Sequence, residues 1–237
     1  MTAATRPTIK LWQVIVFGLL CVLVLGFLAV RWINNAQFYP VGVNPDGLSD
    51  VEVAAIEQSV EPIGGVQFFS ADLALIHQEV SKLSWVESAK VYRDWQHGVM
   101  VSVVPRVAVA NFGSEQMLDA NGVVFTPADK KAVGNPKLIY VHGRPSESNE
   151  IMQQVRQINT WFTPLNMRVR DLILTPRKTW VIVFDNGIRT VVDHDNTEQK
   201  LYNLSVQLSS TLAKDLPKIQ SVDLRYKNGF AIAYKHK

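Results

Sequence analysis

Apolar residues form one continuous run near the start of this chain, over residues 11–30. Gln13 is its only strongly polar member, and no polar stripe recurs at helical spacing as in a buried helix of a soluble protein. A helix of this length spans about 30 Å, the thickness of a bilayer's hydrocarbon core. The run continues into Arg31-Trp32-Ile33, a poor context for signal-peptide cleavage, so we predict an uncleaved transmembrane helix over residues 11–33 after a short tail at 1–10.

The pattern then changes to short strands and helices over residues 34–106. A β-like segment ends at a turn signal over 44–47, and Ser49-Asp50-Val51-Glu52 matches a capping box that begins a helix. A second helix follows, for which Ser70 is the candidate cap. Two segments with period-2 alternation flank a turn around 94–98. The predicted order is strand, helix, helix, strand, strand.

Residues 107–237 are richer in strand-like patterns and contain two helical ones, over about 147–162 and 196–211. Asp185-Asn186-Gly187 predicts a type I′ hairpin turn, and Lys227-Asn228-Gly229 predicts a second hairpin. The fold class expected for the whole chain is α+β, with a mixed β-sheet and packed helices in this last part. Strands are predicted at 107–109, 123–125, 138–141, 169–175, 180–184, 188–192, 221–226 and 230–234.

Charge and cysteine content narrow the functional class. The net charge of +3 is small and scattered, with no basic stripe of the kind that binds nucleic acid. Arg6 and Lys10 precede the apolar run and only Arg31 follows it closely, which predicts a cytoplasmic N-terminus and residues 34–237 outside. The single cysteine, Cys21, lies within the run, so no disulfide is possible in the part outside the membrane.

The most enzyme-like group of residues is Asp193-His194-Asp195. Neighbouring residues of a strand point to opposite faces, so these three cannot converge on a metal locally. Asp195 lies three residues before Glu198 and is better interpreted as a helix cap. No nucleophile elbow, P-loop or zinc-protease motif occurs, so we predict no catalytic residue, metal, cofactor or small-molecule substrate.

The final hairpin is the candidate binding surface. Its last strand, 230–234, carries no charge, and the lysines that commonly protect an edge come only at Lys235 and Lys237. An exposed edge of this kind invites a partner to add a strand. The alternative is an ordinary strand covered by the protein's own loops, and the sequence leaves both open.

Four segments follow one another in the chain behind the predicted anchor. They are Leu83-Ser84-Trp85-Val86-Glu87-Ser88-Ala89-Lys90-Val91 with nearby Trp95, Val103-Val104-Pro105-Arg106-Val107-Ala108-Val109-Ala110, Leu118-Asp119-Ala120-Asn121-Gly122-Val123-Val124-Phe125, and Val222-Asp223-Leu224-Arg225-Tyr226. Together and in this order, they resemble the bacterial FtsQ/DivIB cell-division family over nearly the whole chain. In the second segment, Val103 replaces an acidic residue that is usual in the family.

The resemblance implies a POTRA domain over 34–106, a β-domain over 107–237, and a non-enzymatic scaffold in the inner membrane at the division septum. It implies FtsB and FtsL as partners, with an FtsB strand added beside the C-terminal hairpin. The POTRA residues Trp85, Val86 and Val91 would serve recruitment to the septum. The residues expected to contact FtsB are Arg225, Tyr226, Asn228, Gly229, Phe230, Ile232 and Tyr234.

Two other functions stay open at this point. A POTRA-bearing scaffold for secretion or envelope assembly would share the fold but require a different partner. A membrane-tethered envelope enzyme would depend on residues such as Asp193 or His194.

Overall fold

The computed structural model describes residues 11–34, 38–227 and 229–235. It begins with helix α1 (Leu11–Asn34), which coincides with the predicted transmembrane segment. Its stretch Val14–Arg31 is long and apolar enough to cross a membrane, and none of it is buried by the rest of the protein. Since so many exposed apolar side chains are unfavourable in water, α1 has the properties of a membrane anchor.

The first module consists of three strands and two helices in the predicted order. Strand β3 is central, because β1 pairs with it in parallel and β2 pairs with it antiparallel. The elements are β1 (Gly42–Val43), α2 (Asp50–Val60), α3 (Leu73–Ser81), β2 (Val86–Asp94) and β3 (Gly98–Pro105).

The two helices of this module begin at side-chain caps, one predicted correctly and one not. At α2, Ser49 and Glu52 form the expected capping box. At α3 the cap is Asp72, whose carboxylate accepts the N–H groups of Ala74 and Leu75, both at 3.0 Å. The prediction of Ser70 as the cap was wrong, because an aspartate closer to the helix occupies that role.

The second module is a nine-stranded mixed sheet, β4 to β12, with two helices. Its strand order is β12-β11-β10-β9-β8-β7-β4-β5-β6. The strands are β4 (Ala108–Phe112), β5 (Gln116–Asp119), β6 (Val124–Phe125), β7 (Ile139–His142), β8 (Val169–Leu174), β9 (Trp180–Phe184), β10 (Arg189–Val192), β11 (Ile219–Asp223) and β12 (Ala231–Tyr234), and the helices are α4 (Ser148–Phe162) and α5 (Thr197–Ser209). The predicted α+β class is confirmed.

One face of this sheet is covered by the two helices. Apolar residues of α4 and α5 at helical spacing pack against alternate residues of the central strands, as the period-2 pattern predicted. The shared core includes Ile151, Val155, Ile158, Phe162, Leu201, Leu204, Leu208, Leu172, Ile182 and Phe184.

The structure corrects two local predictions. Strand β5 was missed, and it turns back on β4 after Gly113, so the predicted turn at 119–122 joins β5 to β6 instead. The turn after Phe184 is not type I′. Such a turn needs positive φ at both central residues, whereas Gly187 (φ 86°) has positive φ and Asn186 does not.

Candidate protein-binding edge

Strand β12 is the outermost strand at one end of the sheet. Among the described residues it pairs only with β11, in antiparallel register with Val222 opposite Ile232. The N–H of Lys235 donates to the carbonyl of Lys218 at 2.8 Å, so it points inward. Because N–H directions alternate along a strand, those of Ile232 and Tyr234 point outward. The outer side of β12, here called the open edge, therefore offers backbone groups to another strand.

The side chains of β12 leave this edge uncharged. Ile232 is half-buried and packs against the helix-side core, whereas Ala231, Ala233 and Tyr234 are exposed. Lys235 follows the strand, but its ammonium group donates to the carbonyl of Pro217 at 3.0 Å. The small alanines permit close approach of a second backbone.

The predicted strand over 221–226 ends early, and a loop connects it to β12. Strand β11 ends at Asp223, which lies opposite Ala231, so the described residues 224–227, 229 and 230 lie in the connection between the two strands, here called the edge loop. The predicted strand to 226 was therefore too long. Tyr226 is 59% exposed and Phe230 is 38% exposed. Gly229 also lies in the edge loop and is exposed, and Asn228 lies outside the described residues.

A groove of about 550 Å³ lies between the edge loop and helix α5. Tyr226 and Phe230 line it from the loop, and Tyr202 and Val206 line it from the helix. The sequence analysis missed Tyr202 and Val206, although both are apolar residues outside the buried stripe of α5. Polar side chains of the helix and the loop, Lys200 among them, also line the groove, so it offers both polar and apolar surface to the side chains of a partner.

Arg225 forms a fork-like contact inside the chain. Its Nε donates to Asp223 Oδ1 at 3.0 Å and its Nη2 donates to Oδ2 at 2.6 Å. These hydrogen bonds lower the pKa of the Asp223 carboxyl below its ordinary value and raise the pKa of the Arg225 guanidinium. An acidic partner at Arg225 must share or displace this intrachain carboxylate.

The candidate metal residues do not converge. Asp193 accepts a hydrogen bond from Lys200 at 2.5 Å, while His194 and Asp195 contact each other at 3.2 Å in solvent. No group of three or more potential ligands gathers anywhere in the described residues. The predicted cap role of Asp195 is wrong, because α5 follows Asn196, which has left-handed backbone geometry and no capping side-chain bond.

The three predicted recruitment residues of the first module lie at or near its core. Trp85 and Val86 are 5% and 7% exposed, and Val91 is half-buried against the same core cluster. Only Val91 presents a substantial part of its side chain to a partner. Their recruitment role stays a prediction, and substitution of the two buried residues would act first on the fold.

Comparison with known proteins identifies the family. Residues 107–225 match the family model described as cell division protein FtsQ/DivIB, C-terminal. The match ends at the edge loop, so β12 lies beyond it.

Relatives in several bacteria bear the same name. A cell division protein FtsQ of Acinetobacter oleivorans is 39% identical over 188 residues, which are 79% of this chain and 66%, just under two thirds, of that protein. The FtsQ proteins of Vibrio cholerae and Escherichia coli are each 24% identical, over 92% and 90% of this chain and 85% and 79% of theirs. With half of its length matched by the family model, the chain belongs to the FtsQ/DivIB family of cell division proteins.

Proposed function

We propose that this chain is a non-catalytic scaffold of the division machinery, anchored in the inner membrane with its POTRA domain and β-domain in the periplasm. It binds FtsB and FtsL at the septum through the open edge. The observation that carries this proposal is β12, an uncharged outer strand with outward N–H groups at Ile232 and Tyr234.

Binding proceeds by strand addition. A segment of FtsB pairs with β12, and the backbone hydrogen bonds supply affinity without depending on sequence. Specificity comes from side chains of the added strand that enter the groove beside Tyr226 and Phe230. Arg225 offers its guanidinium to an acidic side chain of the partner, in competition with Asp223.

The orientation of the anchor supports a periplasmic site. Arg6 and Lys10 precede α1, whereas Arg31 alone lies at its other end. By the positive-inside rule, the more basic flank is cytoplasmic. Residues 38–235 then lie on the side of the membrane where the extracytoplasmic parts of FtsB and FtsL are found.

Calorimetry with the extracytoplasmic segment of FtsB tests the proposal. The full chain in nanodiscs should bind this segment at micromolar affinity or better. Tyr226→Lys should abolish binding, because a charge replaces an exposed aromatic at the groove. Its circular dichroism should stay unchanged, because Tyr226 contributes little to the core.

Val51→Lys is the matched control, since Val51 is an exposed apolar residue of α2 in the first module. Its binding should equal that of the unaltered chain. Normal binding by Tyr226→Lys would move the interface away from the groove. The absence of binding by the unaltered chain would refute FtsB as the partner.

A further inference from the structure

An exposed aromatic cluster lies at one end of the first module, away from the open edge. The rings of Phe68 and Trp95 are 4.8 Å apart between centroids, and those of Phe68 and Phe69 are 5.0 Å apart. Trp95 is 82% exposed and Phe69 is 54% exposed. Phe68, Phe69 and Trp95 are here called the aromatic tip. Large aromatic side chains grouped at the surface are typical of a site that contacts another protein or a membrane.

The aromatic tip is held in place by hydrogen bonds to its backbone. Arg93 donates from Nε to the carbonyl of Phe68 at 2.6 Å and from Nη2 to those of Phe69 and Ala71, at 3.3 and 3.1 Å. The carboxylate of Asp94 accepts the N–H groups of the hairpin turn that carries Trp95. The charges next to the rings are thus engaged by the protein itself, and the rings project from an ordered base.

The distance along the chain places this cluster near the membrane. Tyr39 lines the same recess as Phe68 and Trp95, which has a volume of about 310 Å³. Backbone hydrogen bonds of 2.8 and 3.0 Å fix Tyr39 against Val66. Helix α1 ends at Asn34, and the five Cα–Cα steps to Tyr39 reach about 18 Å at most. The recess therefore cannot move far from the headgroup layer.

We propose that the aromatic tip docks on the phospholipid headgroup layer of the membrane that α1 crosses. Trp side chains prefer this layer, where the indole ring contacts apolar chains and its N–H meets polar groups. Beside Trp95, Gln96 is uncharged, and the carboxylate of Asp94 lies 2.8 Å from the imidazole of His97, so the neighbouring acidic group is already engaged within the turn. Docking fixes the orientation of the first module, whichever partner binds the distant open edge.

Spin-label accessibility of the full chain in nanodiscs tests this contact. The nanodiscs contain phosphatidylethanolamine and phosphatidylglycerol only, with no partner protein. Cys21→Ala removes the single cysteine, and Gln96→Cys then places the label beside Trp95. Ser210→Cys, exposed after α5, provides the control label. Collisions of the label at 96 with a water-soluble nickel reagent should be several-fold fewer than at 210, and collisions with oxygen more frequent.

Substitutions then assign the effect to the aromatic tip. Phe69→Ser with Trp95→Ser should return the label at 96 to the accessibility measured at 210. Val51→Ser, an exposed apolar residue of the same module, should leave the protection unchanged. Equal accessibility of both labels in the unaltered background would overturn the proposal. Protection that arises only after a partner protein is added would also overturn it, because the tip would then be a protein-binding site.

Discussion

The two ends of the nine-stranded sheet are finished in different ways. At the β6 end, Met117 and Phe125 are buried in the core cluster of the first module, together with Val101 and Val103 of β3. At the β12 end, no described element covers the outer side of the strand. One end is therefore closed by the chain itself, and the other presents backbone groups to a partner.

Polar contacts reinforce the closed end. Arg106 donates to Asp119 at 2.8 Å, and both side chains are largely buried. The other oxygen of Asp119 accepts the N–H groups of Asn121 and Val123, at 2.8 and 2.9 Å. In the corresponding ion pair near the open edge, Arg225 is exposed and Asp223 is half-buried. A buried ion pair whose hydrogen bonds are all made stabilises contacts within the protein. An ion pair that reaches solvent contributes little to stability, so its charged groups can bind a partner instead.

The largest expected effect is at the closed end. Phe125→Ala removes a side chain that is 3% exposed between the two modules and should lower the free energy of unfolding by about 3–5 kcal/mol. Phe230→Ala at the edge loop should cost about 1 kcal/mol or less, since that ring already faces solvent. Chemical denaturation of both variants measures the difference. Equal losses would show that the two ends do not differ in packing.

The ion pair at the closed end should come next. Arg106→Met leaves Asp119 without its cation and should cost about 2–3 kcal/mol of unfolding free energy. Lys82→Met, which breaks the exposed pair with Glu79, is the control and should cost about 0.5 kcal/mol. The two variants are compared in urea titrations at neutral pH. If the loss at Arg106 were no greater than the loss at Lys82, the buried ion pair would not stabilise the closed end.

At the open edge, a proline separates backbone from side-chain contributions to binding. Tyr234→Ala removes the ring, whereas Tyr234→Pro also removes the outward N–H. Proline is tolerated where a strand's N–H faces solvent, so both variants should fold. The proline variant should bind the FtsB segment up to about tenfold more weakly than the alanine variant, because it lacks one backbone hydrogen bond to the added strand. Identical affinities, measured by calorimetry, would argue against strand addition at this position.

The smallest effect is a pH dependence at the edge loop. Because Arg225 lowers the pKa of Asp223 in the folded protein, the pair contributes stability above the ordinary carboxyl pKa, about 3.9. This contribution is lost as the pH falls through the lower, folded value. In Arg225→Gln this contribution is absent. The free energy of unfolding should therefore fall less between neutral pH and about pH 3 in this variant than in the unaltered chain. Carboxyl chemical shifts of Asp223 should titrate at higher pH in this variant, and an unchanged titration would refute the contact.

Much of the first module was predictable because its signals are local. The Ser49–Glu52 capping box and the period-2 alternation around 94–98 each depend on a few neighbouring residues. Likewise, the last strand of a terminal hairpin was a reasonable candidate for a sheet edge, and β12 is one.

The features that were missed depend on contacts distant in sequence. Strand β5 carries three buried residues in succession, Met117 to Asp119, because its two faces meet different parts of the protein. Polar and apolar residues do not alternate in this segment, so the sequence pattern did not predict a strand. The groove required α5 and the edge loop to come together, and the carboxylate at Arg225 is supplied by Asp223 of the same chain. None of these pairings follows from local residue types alone.

Because β12 comes after all the other described strands in the sequence, it is synthesised after them. A ribosome delivers α1 first, then the residues up to Phe125 that complete the closed end, and only much later Ala231 to Tyr234. A chain interrupted before β12 would still enter the membrane but would lack the surface proposed for FtsB. Under that proposal, recruitment requires that translation has continued through Tyr234, since a shorter molecule lacks the strand that the partner binds.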